Sequence, residues 1–174
     1  MGKNQRKKLV TKKAQSRDLK QETTWKNNLF SRYMLFRYSL TLFFFANIYW
    51  GMIQMYRTSV YIILPIGLLL LLIRAIAEQF SLYGKTKAVL IWTKRAFQAQ
   101  GIVNVLALLS VVFPGQFEYV FPVFASNLLG KLFVSSLLLL GLLAVWHNVN
   151  RVQRVETNTD NFYYRFQKSF GKIF

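Results

Sequence analysis

Four long apolar stretches divide the polar segments of this chain, at residues 38–56, 60–83, 97–113 and 128–146. Each is close to the roughly 20 helical residues that cross a hydrocarbon core about 30 Å thick. A very short polar turn joins the first two stretches, so we expect them to pack as antiparallel neighbours. The pattern predicts an all-α, polytopic integral membrane protein whose four transmembrane helices form two antiparallel hairpins.

The remaining segments complete the predicted domain organisation. Residues 1–28 form a basic arm, residues 29–147 contain the four crossings, and residues 148–174 form a basic and aromatic tail. Residues 116–127 separate the last two crossings and are rich in aromatic side chains. Because aromatic rings prefer the headgroup level of a bilayer, we interpret residues 116–127 as an interfacial segment.

The distribution of charge predicts an orientation. The net charge is +17, and the arm up to Arg37 contains eleven Lys or Arg, the loop at residues 84–95 four and the tail five. Arg57 and Lys131 are the basic residues left for the opposite side. The positive-inside rule therefore places both termini and the central loop in the cytoplasm. We expect a bacterial cytoplasmic membrane, with an organellar membrane as the alternative.

Arg74 and Glu78 are the most suggestive polar residues within a predicted crossing. They lie four residues apart and so share one face of the second helix. Ionisable residues in a bilayer are costly and raise the hypothesis of an ion or solute path. Arg74 lies near the cytoplasmic boundary, however, where its side chain can extend to the headgroups. We favour an interfacial pair that anchors the helix, with a transport path as the alternative.

Three further polar residues lie deeper in the predicted crossings. Asn47 and Gln54 are near one face of the first helix, and Asn104 is on the third. Hydrogen bonding between helices explains such residues without a hydrophilic path, and we favour that interpretation. Together with Arg74 and Glu78, they make up the candidate intramembrane site.

The end of the tail has the pattern of an amphipathic helix at residues 162–174. Such a helix would lie in the interface, with its rings in the acyl boundary and its cations toward anionic lipid headgroups. A groove on a partner protein is the alternative target for the same residues. The contact residues are Phe162, Phe166 and Phe170 on the aromatic face and Arg165, Lys168 and Lys172 on the basic face.

The basic arm has two interpretations. Its Lys and Arg residues could neutralise the phosphates of a nucleic acid or a ribosome, but Trp25 is the single aromatic residue available for stacking on a base. We favour a topology determinant that is held near anionic lipid.

The composition argues against catalysis and metal binding. The chain has no cysteine and one histidine, His147, and its membrane block has Glu78 and Glu118 as its acidic residues. We therefore predict no catalytic, cofactor or metal site. The predicted function is that of a non-enzymatic subunit, scaffold or regulator of a membrane complex, with a membrane-protein partner or as a homo-oligomer. The alternative is a small oligomeric transporter or channel for ions or small solutes, with Arg74 and Glu78 lining the path.

Overall fold

The computed structural model describes residues 16, 19–20, 23–24, 27, 30–57, 59–82, 89–113, 115–160 and 164. Within this part of the chain the secondary structure is helical, without strands. A 3₁₀ turn at Val60–Ile62 precedes the second helix. The α-helices are α1 (Met34–Tyr56), α2 (Ile63–Ser81), α3 (Ile91–Val112), α4 (Gln116–Val120) and α5 (Leu128–Glu156).

Three helical segments are long and apolar enough to cross a membrane: Val60–Ser81, Ile91–Val112 and Leu128–Glu156. They coincide with three of the four predicted crossings, so the chain has the helices of a multi-pass membrane protein. The first predicted crossing corresponds to α1, which has 23 residues. This helix is long enough, but its amides Asn47 and Gln54 lower its mean hydropathy.

Two helix boundaries differ from the prediction. Helix α3 begins at Ile91 rather than at residue 97, so Lys94 and Arg95 lie in its first turns and not in a loop. Helix α5 continues to Glu156, past the predicted end of the crossing at residue 146 and past the predicted domain boundary at residue 148. The extra turns of α5 are stabilised by packing, because Val152 and Val155 are buried in the core.

Side-chain contacts bring several helix ends to one end of the bundle. Arg37 Nη2, near the start of α1, donates to Gln79 O at the end of α2 (3.0 Å). Arg32, just before α1, donates through Nη2 to Val155 O in the last turn of α5 (3.1 Å). We call this end, which carries Arg32, Gln79 and Val155, the basal end. The opposite end, which carries α4, is called the distal end.

The core has two apolar clusters with polar side chains between them. The basal cluster includes Phe36, Phe43 and Phe97, in which Phe97 packs at centroid distances of 6.4 Å from Phe36 and 6.1 Å from Phe43. The distal cluster joins α3, α4 and α5. Its buried members are Ala107, Val111, Phe117, Val120, Phe121 and Val134.

The outer surface of the described helices is strongly apolar. Large side chains are exposed on every long helix, whereas several amide side chains are buried between the helices. A soluble protein rarely exposes so much contiguous apolar surface, and lipid tails are the solvent that suits it. Examples of the exposed side chains are Leu42, Leu70, Leu106, Leu132, Leu140 and Leu143.

Two predicted segments fall largely outside the described residues. In the arm, the few described residues between 16 and 27 are helical and exposed. In the predicted tail helix, Tyr164 is described and is helical. The predicted contact residues lie outside the described part: Phe162, Arg165, Phe166, Lys168, Phe170 and Lys172.

Candidate functional site

The five residues of the predicted intramembrane site lie in three separate places. Arg74 and Glu78 are at the basal end, Asn47 and Asn104 are in the middle of the bundle, and Gln54 is at the distal end. Only the middle pair belongs to one hydrogen-bonded group. The structure therefore does not bring the five residues together into one path.

Glu78 caps the helix that follows it. Its Oε1 accepts from the backbone N–H of Trp92 (3.0 Å), and its Oε2 accepts from the backbone N–H (2.7 Å) and Oγ1 (2.8 Å) of Thr93. The first N–H groups of a helix have no partner within that helix, and a carboxylate is favoured there by the helix dipole. This cap on α3 explains why α3 begins at Ile91.

Arg74 is exposed and contacts an aromatic ring instead of Glu78. Its guanidinium carbon lies 5.5 Å from the centroid of the Trp92 ring, and that of Arg95 lies 5.4 Å from the same centroid. Within the described residues the one ion pair is between Arg32 and Asp160. Arg74 and Glu78 therefore make separate contacts with the start of α3, and they are not an ion pair.

Three amide side chains form a hydrogen-bonded chain in the middle of the bundle. Asn47 Nδ2 on α1 donates to Gln100 Oε1 on α3 (2.7 Å), and Gln100 Nε2 donates to Asn104 Oδ1 one turn further along α3 (3.0 Å). All three residues are buried. The interhelical hydrogen bond expected of Asn47 is present, and its partner is Gln100.

Gln54 and Trp50 attach α1 to α4. Gln54 Nε2 and Trp50 Nε1 both donate to the backbone oxygen of Val120, at 2.6 Å and 3.1 Å. Val120 is the last residue of α4, where a helix leaves carbonyl groups without partners. These bonds hold the segment between α3 and α5 against the distal end of α1.

Several polar contacts were missed by the sequence prediction. Gln79 Nε2 donates to Thr93 Oγ1 (2.7 Å), and Asn148 Nδ2 donates to Ser39 Oγ (3.0 Å). For Gln100 the sequence did contain a signal, since it lies four residues before Asn104 and so on the same helix face.

Arg32 is the most buried charge of the basal end, with a side chain that is 2% exposed. It is bonded to the Asp160 carboxylate, which its Nε reaches at 3.0 Å, and its Nη2 also donates to Asn158 Oδ1 (3.0 Å). Asn158 itself has a left-handed backbone, with φ of 54°, which ends α5. The sequence prediction had counted Arg32 as one more cytoplasmic cation.

A lateral groove of about 470 Å³ lies between α1 and α5. These two helices make few direct contacts, whereas α3 packs closely on α5 and α2 packs on both α1 and α3. The groove is mainly apolar and aromatic, with the amide chain as its polar part. Its lining includes Leu42, Ala46, Asn47, Trp50, Asn104, Phe121, Leu137, Gly141 and Ala144.

The described residues contain no group of three His, Asp or Glu side chains that could hold a metal ion. Comparison with known proteins adds no family assignment: no protein-family model, curated protein or solved structure matches this chain.

Proposed function

We propose that this chain is a non-enzymatic integral membrane protein that acts as a subunit, scaffold or regulator of a membrane complex. The observation that carries the proposal is that several of its polar side chains form hydrogen bonds that hold the helices in place. The Glu78 carboxylate caps α3, the Asp160 carboxylate is bonded to Arg32, and the central amides bond to one another. These groups hold helices together, which supports a structural role for them.

We further propose that α1 is a fourth crossing. The amides that lower its hydropathy face inward, since Asn47 is 1% exposed and Gln54 is 0% exposed. Its outward face carries large side chains, including Tyr38, Leu42 and Phe45. Lipid would therefore contact an apolar surface along α1, and the inward amides would not be exposed to hydrocarbon.

The proposed orientation has both termini in the cytoplasm. The basal end joins Arg32 to Asp160, so the chain enters α1 and leaves α5 at the same end of the bundle. That geometry agrees with an even number of crossings, and the charge distribution selects the cytoplasmic side. The basic arm and tail would then face anionic lipid headgroups or a partner protein.

A transporter or channel is the less supported alternative. Arg74 and Glu78 line one open cavity of about 430 Å³ at the basal end. Glu78 is held there by three hydrogen bonds from the start of α3, however, as a helix cap would be. The central amides are likewise bonded in series and do not extend to the basal pair.

Purification in mild detergent, with measurement of mass and of co-purifying proteins, tests the proposal. We expect a stable complex with another membrane protein. A homo-oligomer that exchanges ions or solutes when reconstituted into liposomes, and that loses exchange in Arg74→Lys at unchanged abundance, would contradict the proposal and favour transport.

A further inference from the structure

We infer that the lateral groove between α1 and α5 is a binding site for a small lipid-soluble molecule that carries a carbonyl-type acceptor oxygen. The site is additional to the proposed role in a membrane complex and does not depend on it. The volume of about 470 Å³ lies in the usual range of small-molecule pockets. Such pockets are lined by apolar and aromatic side chains with a few polar groups that fix orientation, as this groove is.

The hydrogen-bond direction of the amide chain is fixed by the backbone. Asn47 Nδ2 donates both to Phe43 O (2.8 Å) and to Gln100 Oε1 (2.7 Å), so both of its hydrogens are used. The Phe43 carbonyl can only accept, which prevents the Asn47 amide from being reversed. Gln100 must then present its oxygen to Asn47 and its nitrogen to Asn104 Oδ1.

One hydrogen-bond donor, Asn104 Nδ2, remains at the end of this series of three amides. Among the described residues, Asn104 Nδ2 donates to no acceptor, although the Asn104 side chain is 6% exposed. This nitrogen faces the groove, where lipid tails offer no acceptor, and a donor left without an acceptor in hydrocarbon is costly. A ligand with an acceptor oxygen would satisfy it.

Gly141 leaves this donor accessible from the groove. A Cβ at residue 141 would lie 2.6 Å from Asn104 Nδ2, so any other residue would occupy the space next to the nitrogen. Both Gly141 and Asn104 line the groove. The absence of a side chain at residue 141 therefore gives a ligand a route to the amide.

The ends of the groove favour a small molecule over a partner helix. At the basal end the bond between Asn148 and Ser39 joins α5 to α1. At the distal end a series of ring contacts joins them, with centroid distances of 6.0 Å from Trp50 to Phe121, 6.3 Å from Phe121 to Phe124 and 6.0 Å from Phe124 to Phe133.

On α1 the two closures lie at Ser39 and Trp50, about 16 Å apart along the helix. A helix that crosses the bilayer needs about 30 Å and would have to displace both closures to fill the groove. A compact lipid-soluble molecule can enter from the side, between the closures.

Photolabelling in phosphatidylcholine nanodiscs tests the site. The probes are a long-chain ketone with its carbonyl in the middle of the chain and the alkane of equal length, each with a diazirine. We expect saturable ketone labelling of peptides around Ala46 and Gly141, displaced by unlabelled ketone about fivefold better than by unlabelled alkane. Fivefold is the effect of one neutral hydrogen bond of about 1 kcal/mol.

Two variants and a control sharpen the test. Ala46→Trp fills the groove from an exposed position and should abolish saturable labelling, and Asn104→Leu should reduce ketone labelling to the level of the alkane. Ser136→Ala, on an exposed face of α5, should change neither.

Competition between unlabelled ketone and unlabelled alkane on the unaltered protein tests the proposal even if Asn104→Leu fails to fold. Equal, non-saturable labelling by both probes would overturn the proposal. So would a cysteine at residue 46 that cross-links to a copurifying polypeptide and excludes the ketone, because a partner helix would then occupy the groove.

Discussion

Arg32 shows how a single side chain can hold the basal end together. Its guanidinium is buried and bonds to Asp160, Asn158 and the backbone oxygen of Val155. A planar group with several donors suits this set of acceptors, which a lysine ammonium does not match in geometry. The arm before α1 and the end of α5 are therefore joined through one residue.

We predict that Arg32→Ala lowers the stability of the protein by about 3 kcal/mol, because it leaves the Asp160 carboxylate without its partner in a largely buried site. Such a loss corresponds to a fall of about 6–12 °C in the thermal unfolding midpoint in detergent. Arg32→Lys should recover part of the loss. The matched control is Arg154→Ala, an exposed residue on α5, which should change the midpoint little. Equal midpoints for Arg32→Ala and the control would show that the contacts of Arg32 do not stabilise the fold.

Glu78 provides a second prediction at this scale. Glu78→Ala removes the cap of α3 and should cost about 2 kcal/mol, while Glu78→Gln keeps one acceptor oxygen and should cost about 1 kcal/mol. Arg74→Lys should be nearly silent, because Arg74 is exposed. Thermal unfolding of the three variants measures this order. An Arg74→Lys variant that is as unstable as Glu78→Ala would contradict the separate roles given to the two residues.

The identity of the polar residues could be predicted from the sequence, but their partners could not. We expected Asn47, Gln54 and Asn104 to bond between helices, and all three side chains are buried. Asn47 and Gln54 do bond to other helices, whereas Asn104 bonds to Gln100 on its own helix. Which amide meets which depends on the relative rotation and register of the helices, and hydropathy and spacing along the chain do not reveal these. The interpretation of Arg74 and Glu78 as a pair depended on their spacing along one helix. It did not anticipate that the start of α3 would attract the carboxylate.

At the scale of elements, the close packing of α3 on α5 depends on small residues. A Cβ at Gly141 would lie 2.6 Å from Asn104 Nδ2, and one at Gly101 would lie 3.1 Å from Val145 Cγ1. Small residues allow helix backbones to approach closely in membranes, where van der Waals packing replaces the hydrophobic effect.

We predict that Gly141→Val destabilises the protein by about 2 kcal/mol through overpacking against Asn104. Gly67→Val on α2 is the matched control, since nothing lies within 4 Å of a Cβ built there. Thermal unfolding midpoints of the two variants should differ clearly. If Gly141→Val unfolds at the same temperature as Gly67→Val, the helices do not pack as closely as described.

The predicted tail helix can be tested as a separate element. A peptide of residues 162–174 is too short to be a stable helix in water, so its ordering requires lipid or a partner to cover its rings. We expect circular dichroism to show helix formation with anionic vesicles, weakened at high salt and more by Phe166→Ser than by Lys168→Gln. A peptide that ignores anionic vesicles, while deletion of the tail removes a copurifying protein, would identify a protein-docking helix.

Helix positions were predicted better than helix ends. The apolar stretches located α1, α2, α3 and α5 because hydrophobicity is a property of the chain itself. The start of α3 is set by Glu78 on a different helix, and the extension of α5 is set by packing of Val152 and Val155 at the basal end. Both depend on tertiary contacts between residues that are distant in the sequence.

At the scale of the whole molecule, the described helices form a bundle with an apolar outer surface and buried amide side chains. Hydrogen bonds from Asn47 and Gln54 join helices within it, and the Arg32–Asp160 pair joins the start of α1 to the end of α5 at the basal end. Such a molecule suits a bilayer. The number of crossings depends on α1, because this helix alone of the four long ones falls short in mean hydropathy.

Labelling of single cysteines in intact cells tests this central claim most directly, since the chain has no cysteine of its own. Cysteines are introduced at Ser16, Ser59, Val89 and Thr157 and treated with a thiol reagent that does not cross membranes. With four crossings and cytoplasmic termini, only residue 59 is labelled in intact cells, and all four are labelled after permeabilisation. If α1 does not cross, residues 16 and 157 lie on opposite sides of the membrane. Labelling of one of these two in intact cells, but not of the other, would contradict the account.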